Sequence, residues 1–273
     1  MREVRLHSEN NDFQHVETLK RNRTKRQKSQ EFFIEGVRNI NQAVAHSFRI
    51  KAFYSNAEVR LSSWATELLA RKLADAHFSL PAELMAKLSD KEHASELCAV
   101  AAMPHDDLKR IPTLPDARVV VVDRPSNPGN LGTLLRSCDA FKASGVIVTG
   151  HAVDLYDPVV LRASMGSFFA LPIVRLPSHH ELEPWIQRLR AESDGLRVLG
   201  TSAKAATFVR DEPFSGRCLL VFGNETTGMS SAYRDLCDEL LGIPMGGSAS
   251  SLNVSCAASI VLYEAFCRTP ARR

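Results

Sequence analysis

Asn130 and Arg136 lie six positions apart in NPGNLGTLLRS, a stretch that follows four valines, Val119–Val122, and Asp123. A valine run, a turn with proline and glycine and then a periodic apolar pattern predict strand, turn and helix. Leu131, Leu134, Leu135 and Cys138 fall at helical spacing and form the stripe that should be buried. Arg136 points away from that stripe. On a helix it is roughly 120° from Asn130 by the short way round. An arginine on a polar helix face is most often a solvated charge, and an asparagine at a helix start is most often a cap. The functional alternative is a fixed cation and a fixed amide facing a ligand.

Two further segments place glycine and small polar residues just after a predicted strand. LLVFGNETTGMS, residues 219–230, brings a buried strand into Gly223, Asn224 and Glu225. This is either an ordinary turn or a loop that a ligand approaches closely, with Glu225 free to meet a hydroxyl or an amine. IPMGGSASSLNVS, residues 243–255, runs directly into the last helix, whose first amides could hold polar groups. In open α/β sheets, ligands bind at the carboxyl ends of strands. The glycine fingerprint of dinucleotide sites and the GK[ST] of phosphate-binding loops are both absent, which argues against those enzyme classes.

The elements that must position these loops suggest two α/β domains. The chain has 273 residues, 44% hydrophobic, enough for two cores. Residues 1–30 are polar and basic and are expected to form an arm or a loosely docked helix. From 31 to 104 short strands alternate with helices, predicting a small α/β domain with a mostly parallel sheet. Residues 105–117, polar with two prolines, are the expected linker. The larger domain is expected over 118–273, with strands at 118–123, 145–149, 172–176, 197–201, 218–222 and 240–244. Helices are expected at 130–142, 179–193, 230–238 and along SLNVSCAASIVLYEAFCR. The span 150–171 is left as a long excursion.

The net charge of +3 is mild but conceals a local bias. KRNRTKRQK carries six cations, Lys20, Arg21, Arg23, Lys25, Arg26 and Lys28, and no anion. Such a run is either a solvated face or a polyanion contact. The six cysteines show no CxxC spacing, so neither a zinc site nor a redox motif is indicated. No window reaches transmembrane length and the start of the chain does not resemble a signal peptide, so a reduced, cytoplasmic protein is expected.

Taken in order, NPGNLGTLLRS, FGNETTGMS and IPMGGSASSLNVS resemble the three motifs of the SPOUT superfamily, in its TrmH-type branch of RNA ribose 2′-O-methyltransferases. The similarity spans roughly 118–268. RNRTKRQKSQEFFIEGVRNINQAV resembles the start of that family's N-terminal L30e-like RNA-binding domain. DRPSNPGN, GHAVDLYDPVVLRAS and IPMGGSASSLN further resemble members that methylate 23S ribosomal RNA and confer antibiotic resistance.

The resemblance implies an α/β catalytic domain with a deep trefoil knot over 219–268, a homodimer, and S-adenosylmethionine as cofactor. It implies that Gly223, Ile243 and Leu252 contact the cofactor, with Thr201, Glu225, Met245 and Asn253 nearby. Arg136 would act at the methyl-transfer site on the target phosphate or ribose, and Asn130 and Asn253 would orient the ribose and the cofactor loops. Ser251 would support them, and Glu225 would interact with Asn253 or the substrate. The partner is RNA, with neither DNA nor membrane expected. Two other readings remain open: a transfer-RNA ribose methyltransferase, and a non-catalytic RNA-binding or ribosome-assembly factor.

Overall fold

The computed structural model describes residues 1–90, 92–192 and 195–268, and these fall into two compact units. The first comprises Met1–Pro104 together with Tyr156–Phe169. Along the chain it begins with β1 (Arg2–Arg5), α1 (Asn11–Arg21), α2 (Arg23–Ser29), β2 (Glu31–Glu35) and α3 (Val37–Ala45). It continues with β3 (Ile50–Asn56), α4 (Ser63–Ala70), β4 (Ala76–Leu80), α5 (Ala82–Leu88) and β5 (Leu97–Ala102). The sheet order is β1-β4-β3-β5-β2. β1, β4 and β3 run parallel, whereas β5 is antiparallel to both β3 and β2. The sheet is therefore mixed rather than mostly parallel.

Residues 1–30 are not an arm. β1 extends the sheet through Arg2–Ala76 pairing, and Phe13, Val16 and Leu19 of α1 are fully buried against the same core. Asn10 caps α1 by accepting from Phe13 N at 3.1 Å. Two of the six expected RNA-contacting cations are interior. Arg26 is 2% exposed, and its guanidinium donates to Leu19 O at 2.7 Å and Lys20 O at 3.0 Å. These are carbonyls of the last turn of α1, where an intrahelical partner is lacking. Lys20 is 8% exposed and pairs with Asp90 at 2.6 Å. Arg21, Arg23, Lys25 and Lys28 are exposed.

The second unit, His105–Leu155 with Ala170 onward, starts with β6 (Arg118–Asp123), α6 (Pro128–Ala140) and β7 (Gly145–Thr149). α7 (Pro158–Ser164) and nearly all of α8 (Ser167–Ala170) belong to the first unit, where Tyr156, Phe168 and Phe169 pack around Phe32. Most of the expected excursion over 150–171, from Tyr156 to Phe169, thus belongs to the first unit, and its aromatic side chains join that unit's core. The second unit resumes with β8 (Ile173–Leu176), α9 (Glu183–Ala191), β9 (Arg197–Thr201) and β10 (Thr207–Phe208). It ends with β11 (Cys218–Phe222), α10 (Ser231–Leu236), β12 (Glu239–Gly242) and α11 (Val254–Cys267). Position 193, where the helix before β9 was expected to end, and residues 269–273 lie outside the described residues.

The second sheet is parallel throughout, in the order β10-β12-β9-β11-β6-β7-β8. Its central strands are continuous buried apolar runs, as expected where helices cover both faces. The predicted stripe of Leu131, Leu134, Leu135 and Cys138 is buried on α6. Because every strand points the same way, the loops after β6, β9, β11 and β12 emerge at one edge. That edge carries all three motifs.

Candidate active site

α6 starts at Asn127, whose side chain accepts from Asn130 N at 3.0 Å, with Pro128 in the first turn. This cap projects the Asn130 amide out of the helix start. α11 starts at Asn253, whose Oδ1 accepts from Ser255 N at 2.8 Å and Ser255 Oγ at 2.7 Å. The Asn253 Nδ2 then donates to Asn130 Oδ1 at 3.0 Å, and Asn130 Nδ2 donates to Glu225 Oε1 at 3.3 Å. One line of hydrogen bonds, Asn253–Asn130–Glu225, therefore joins all three motifs.

Glu225 is the anionic end of this line. It also accepts from Ser126 N at 2.9 Å, Ser126 Oγ at 2.7 Å and Asn127 N at 3.1 Å. Burial pushes its carboxyl up, but donors from Ser126, its own backbone and Asn130 outweigh that, and its pKa is lowered. A carboxylate so stabilised is a weak base, so its chemistry here is orientation. The contact expected between Glu225 and Asn253 is replaced by one through Asn130.

Beside this line is a cleft of about 280 Å³, close to the range of small-molecule sites. Thr201, Gly223, Ile243, Met245 and Leu252 all line it, together with Glu225 and Ser251. Phe222, Met229, Leu240 and Leu241 add an apolar wall, and Asn224 and Thr226 a polar one. A ligand with a flat, weakly polar ring system and a charged tail suits such a lining, and S-adenosylmethionine has both parts. At Gly223 a Cβ would fall 2.1 Å from Met229 N, so only glycine lets the end of β11 pass so close to the following turn. Thr201 Oγ1 donates to Val221 O at 3.2 Å, tying β9 to β11 beneath the cleft.

Asn253 is not among the cleft-lining residues and belongs to the hydrogen-bonded line instead. Ser251 lines the cleft, and no hydrogen bond joins it to Asn130, Asn253 or Glu225 among the described residues. Arg136 is exposed on α6, and among the described residues no hydrogen bond or ion pair engages its guanidinium. Sequence reasoning missed Ser126, Asn127 and Ser255. Their signal was present in SNPGN and NVS, where small polar residues sit at helix starts and can cap or brace a neighbour.

Comparison with known proteins agrees with this geometry. The SpoU rRNA Methylase family matches residues 117–263, and the SpoU L30e-like domain matches residues 10–99. The chain is 44% identical over 262 residues to the 23S rRNA (uridine(2479)-2′-O)-methyltransferase of Streptomyces viridochromogenes, covering 96% of this chain and 91% of that protein. It is 30% identical to the 23S rRNA (guanosine(2553)-2′-O)-methyltransferase RlmP of Bacillus subtilis, covering 92% and 95% respectively. The crystal structure of the SpoU methyltransferase AviRb from Streptomyces viridochromogenes in complex with AdoMet superposes with a TM-score of 0.89 at 43% identity, covering 94% of this chain and 97% of that one. A family match through both units, a relative aligned almost end to end and a shared fold lead to one conclusion: this chain belongs to the SpoU rRNA methylase family.

Proposed function

We propose that this protein transfers a methyl group from S-adenosylmethionine to a ribose 2′-hydroxyl of 23S ribosomal RNA. The observation that carries the reading is the line Asn253–Asn130–Glu225 at the edge of the cleft. S-adenosylmethionine supplies a methyl group on a cationic sulfur. Thr201, Gly223, Ile243, Met245 and Leu252 would hold it.

Asn130 has one amide hydrogen and one carbonyl lone pair committed to its neighbours, which fixes the orientation of its amide. One hydrogen and one lone pair remain to grip a ribose hydroxyl. In-line placement of a poor nucleophile supplies much of the acceleration. The Arg136 guanidinium would stabilise the alkoxide as it develops, or anchor the adjoining phosphate.

RNA as partner is supported by the 23S rRNA relatives and by the exposed cations Arg21, Arg23, Lys25 and Lys28. The motif resemblance of DRPSNPGN, GHAVDLYDPVVLRAS and IPMGGSASSLN extends the proposal to antibiotic resistance through modified ribosomal RNA. A homodimer is supported by the apolar surface of α11, where Ile260, Tyr263 and Phe266 are 37%, 51% and 39% exposed. A trefoil knot over 219–268 is supported by topology. After β12 the chain must pass β9 and β11 to pack α11 on α6. No described helix is long and apolar enough to cross a membrane.

Mapping ribose methylation on 23S and transfer RNA, with and without the protein, tests the reading. A new 2′-O-methyl group in 23S rRNA is the expected result. Methylation confined to transfer RNA would replace the substrate. Cofactor binding with no methyl transfer to any RNA would leave a binding factor.

A further inference from the structure

Asp123 and Arg124, at the end of β6, are not among the residues that line the cleft, yet both are bonded to the turn that forms one of its walls. Arg124 grips Asp123 through two parallel bonds, Nε to Oδ1 at 2.9 Å and Nη2 to Oδ2 at 3.0 Å. Its Nη2 also donates to Gly228 O at 3.3 Å. Asp123 Oδ2 accepts from Ser230 N at 2.9 Å. In return Asn224 Nδ2 donates to Arg124 O at 2.7 Å. The turn between is closed by Asn224 N to Gly228 O at 3.1 Å and Gly228 N to Asn224 O at 3.0 Å.

At its start the turn is also braced by Asn224 Oδ1, which accepts from Thr226 N, Thr227 N and Thr227 Oγ1, and by Glu225 on Ser126, Asn127 and Asn130, whereas its far end at Gly228 and Ser230 is held to β6 by the Asp123–Arg124 pair. Thr226, Thr227 and Gly228 are exposed, and Met229 is its buried anchor. Arg124 adopts a left-handed backbone with φ of 52°, a conformation unfavourable outside glycine. Such a residue persists where its surroundings over-determine it, and here Arg124 N is also pinned to Thr149 O at 2.9 Å. The Arg124 stem lies across Gly150, where a Cβ would fall 2.7 Å from Arg124 Cγ. Asp123 is nearly fully buried and holds the guanidinium charge, pushing the Arg124 pKa up.

We infer that Arg124 is a positioning residue for the cofactor. With Asp123 and Asn224 it forms a clasp that fixes the 224–230 turn before the cofactor arrives, without itself touching the cofactor. The inference rests on the S-adenosylmethionine reading above. A wall ordered in advance spares the ligand the cost of ordering it, so the clasp acts on affinity. The Glu225 carboxylate is anchored separately by Ser126, Asn127 and Asn130, so the transfer step should survive loss of the clasp once the cofactor is bound.

The test uses Arg124→Ala, Arg124→Lys and Gly150→Ala in the full chain. Calorimetry gives affinity for S-adenosylmethionine and S-adenosylhomocysteine. Single-turnover methylation at saturating cofactor gives the transfer rate, and filter binding gives RNA affinity. Arg124→Ala should raise the cofactor Kd about tenfold, the worth of one charge-assisted hydrogen bond, with transfer rate and RNA affinity nearly unchanged. Lysine keeps a charge beside Asp123 but lacks the planar fork that spans the carboxylate and the Gly228 carbonyl, so Arg124→Lys should fall between. Gly150→Ala crowds the arginine stem and also forces alanine into a φ of 72°, so it should weaken the cofactor in the same way with an added loss of melting temperature. Unchanged cofactor affinity in Arg124→Ala and Gly150→Ala overturns the inference, whatever their melting temperatures. So does a general loss of folding, transfer and RNA binding in all three. Failure of the wild-type protein to bind S-adenosylmethionine would instead remove the functional reading itself.

Discussion

Asn253 Nδ2 donates to Asn130 Oδ1 at 3.0 Å across 123 positions of sequence, and this bond joins the start of α11 to the start of α6. Each end is oriented by a helix start. Asn253 Oδ1 is held by Ser255, and the Asn130 backbone is held by the Asn127 cap. The position that would meet a ribose hydroxyl is therefore set by local chain geometry and needs no long flexible side chain.

Asn130→Asp should be worse than a lost contact. It removes the donor to Glu225 and sets a second carboxylate where the amide stood, 3.3 Å from Glu225 Oε1. Two close carboxylates disfavour double ionisation, so one pKa rises. Single-turnover transfer should drop by about 10² or more near pH 8 and recover in part near pH 6, where one carboxyl regains its proton. A rate within threefold of wild type at pH 8 would remove Asn130 from the transfer step.

Arg136→Ala should cost about 10²–10³ in transfer rate, the usual worth of one transition-state donor. Cofactor affinity should stay within a few-fold of wild type, because Arg136 is exposed on α6 and does not line the cleft. Turnover above about one-tenth of wild type would return it to the role of a solvated charge.

The three motifs were legible because their signal is local. Glycine and small polar residues directly after apolar runs mark loops at strand ends, and NPGN and SLNV carry their helix caps within a few residues. What lay hidden depends on distant partners. Nothing near Lys20 or Arg26 shows that Asp90 and the end of α1 would draw them inside, and a run of cations looks the same whether solvated or buried. β4 (AHFSL) is faint in sequence because histidine and serine alternate through its five residues, and its place is set by pairing with β1 and β3. The 150–171 segment was unreadable for a similar reason: the aromatic cluster around Phe32 that it completes lies more than a hundred positions earlier.

Glu225 sets a sign for acid behaviour. Its folded pKa lies below the unfolded value of 4.5, so its contribution to stability is present above that value and is lost as pH falls through the folded pKa. Glu225→Gln should therefore flatten the loss of melting temperature below about pH 4.5 relative to wild type. Parallel melting curves for the two proteins from pH 7 to pH 3 would show that the carboxylate gains nothing from its four donors.

Tyr263→Glu should shift the protein toward monomer. Tyr263 is 51% exposed with its ring centroid 5.8 Å from that of Phe141, which also packs against Phe266. A charge placed within an apolar interface must be desolvated without a partner. Sedimentation at micromolar concentration measures it, and a wild-type protein that sediments as a monomer with full activity would contradict the dimer.

The cations of KRNRTKRQK divide into two kinds, and salt dependence separates them. Arg21, Arg23, Lys25 and Lys28 are exposed; Lys20 and Arg26 are buried and bonded within the first unit. Deleting residues 1–28 would remove β1, α1 and nearly all of α2 and strip cover from the sheet, so point changes are the sound test. Changing the four exposed residues to glutamine should leave melting temperature and cofactor affinity unchanged and weaken RNA binding. Each phosphate contact adds roughly 0.7–0.9 to the slope of log affinity against log salt, so losing four contacts should make the slope shallower by about three units or slightly more. The loss should be equal for cognate and scrambled RNA, because phosphates carry no sequence. Arg26→Ala should behave in the opposite way. It strips partners from the Leu19 and Lys20 carbonyls and leaves Asp157 without its ion pair, costing about 2–4 kcal/mol of stability with the salt slope unchanged. Titrations at several salt concentrations, paired with thermal melts, read both effects. An unchanged slope in the fourfold variant would show that these four charges face only water, and a loss confined to cognate RNA would show that they recognise RNA shape.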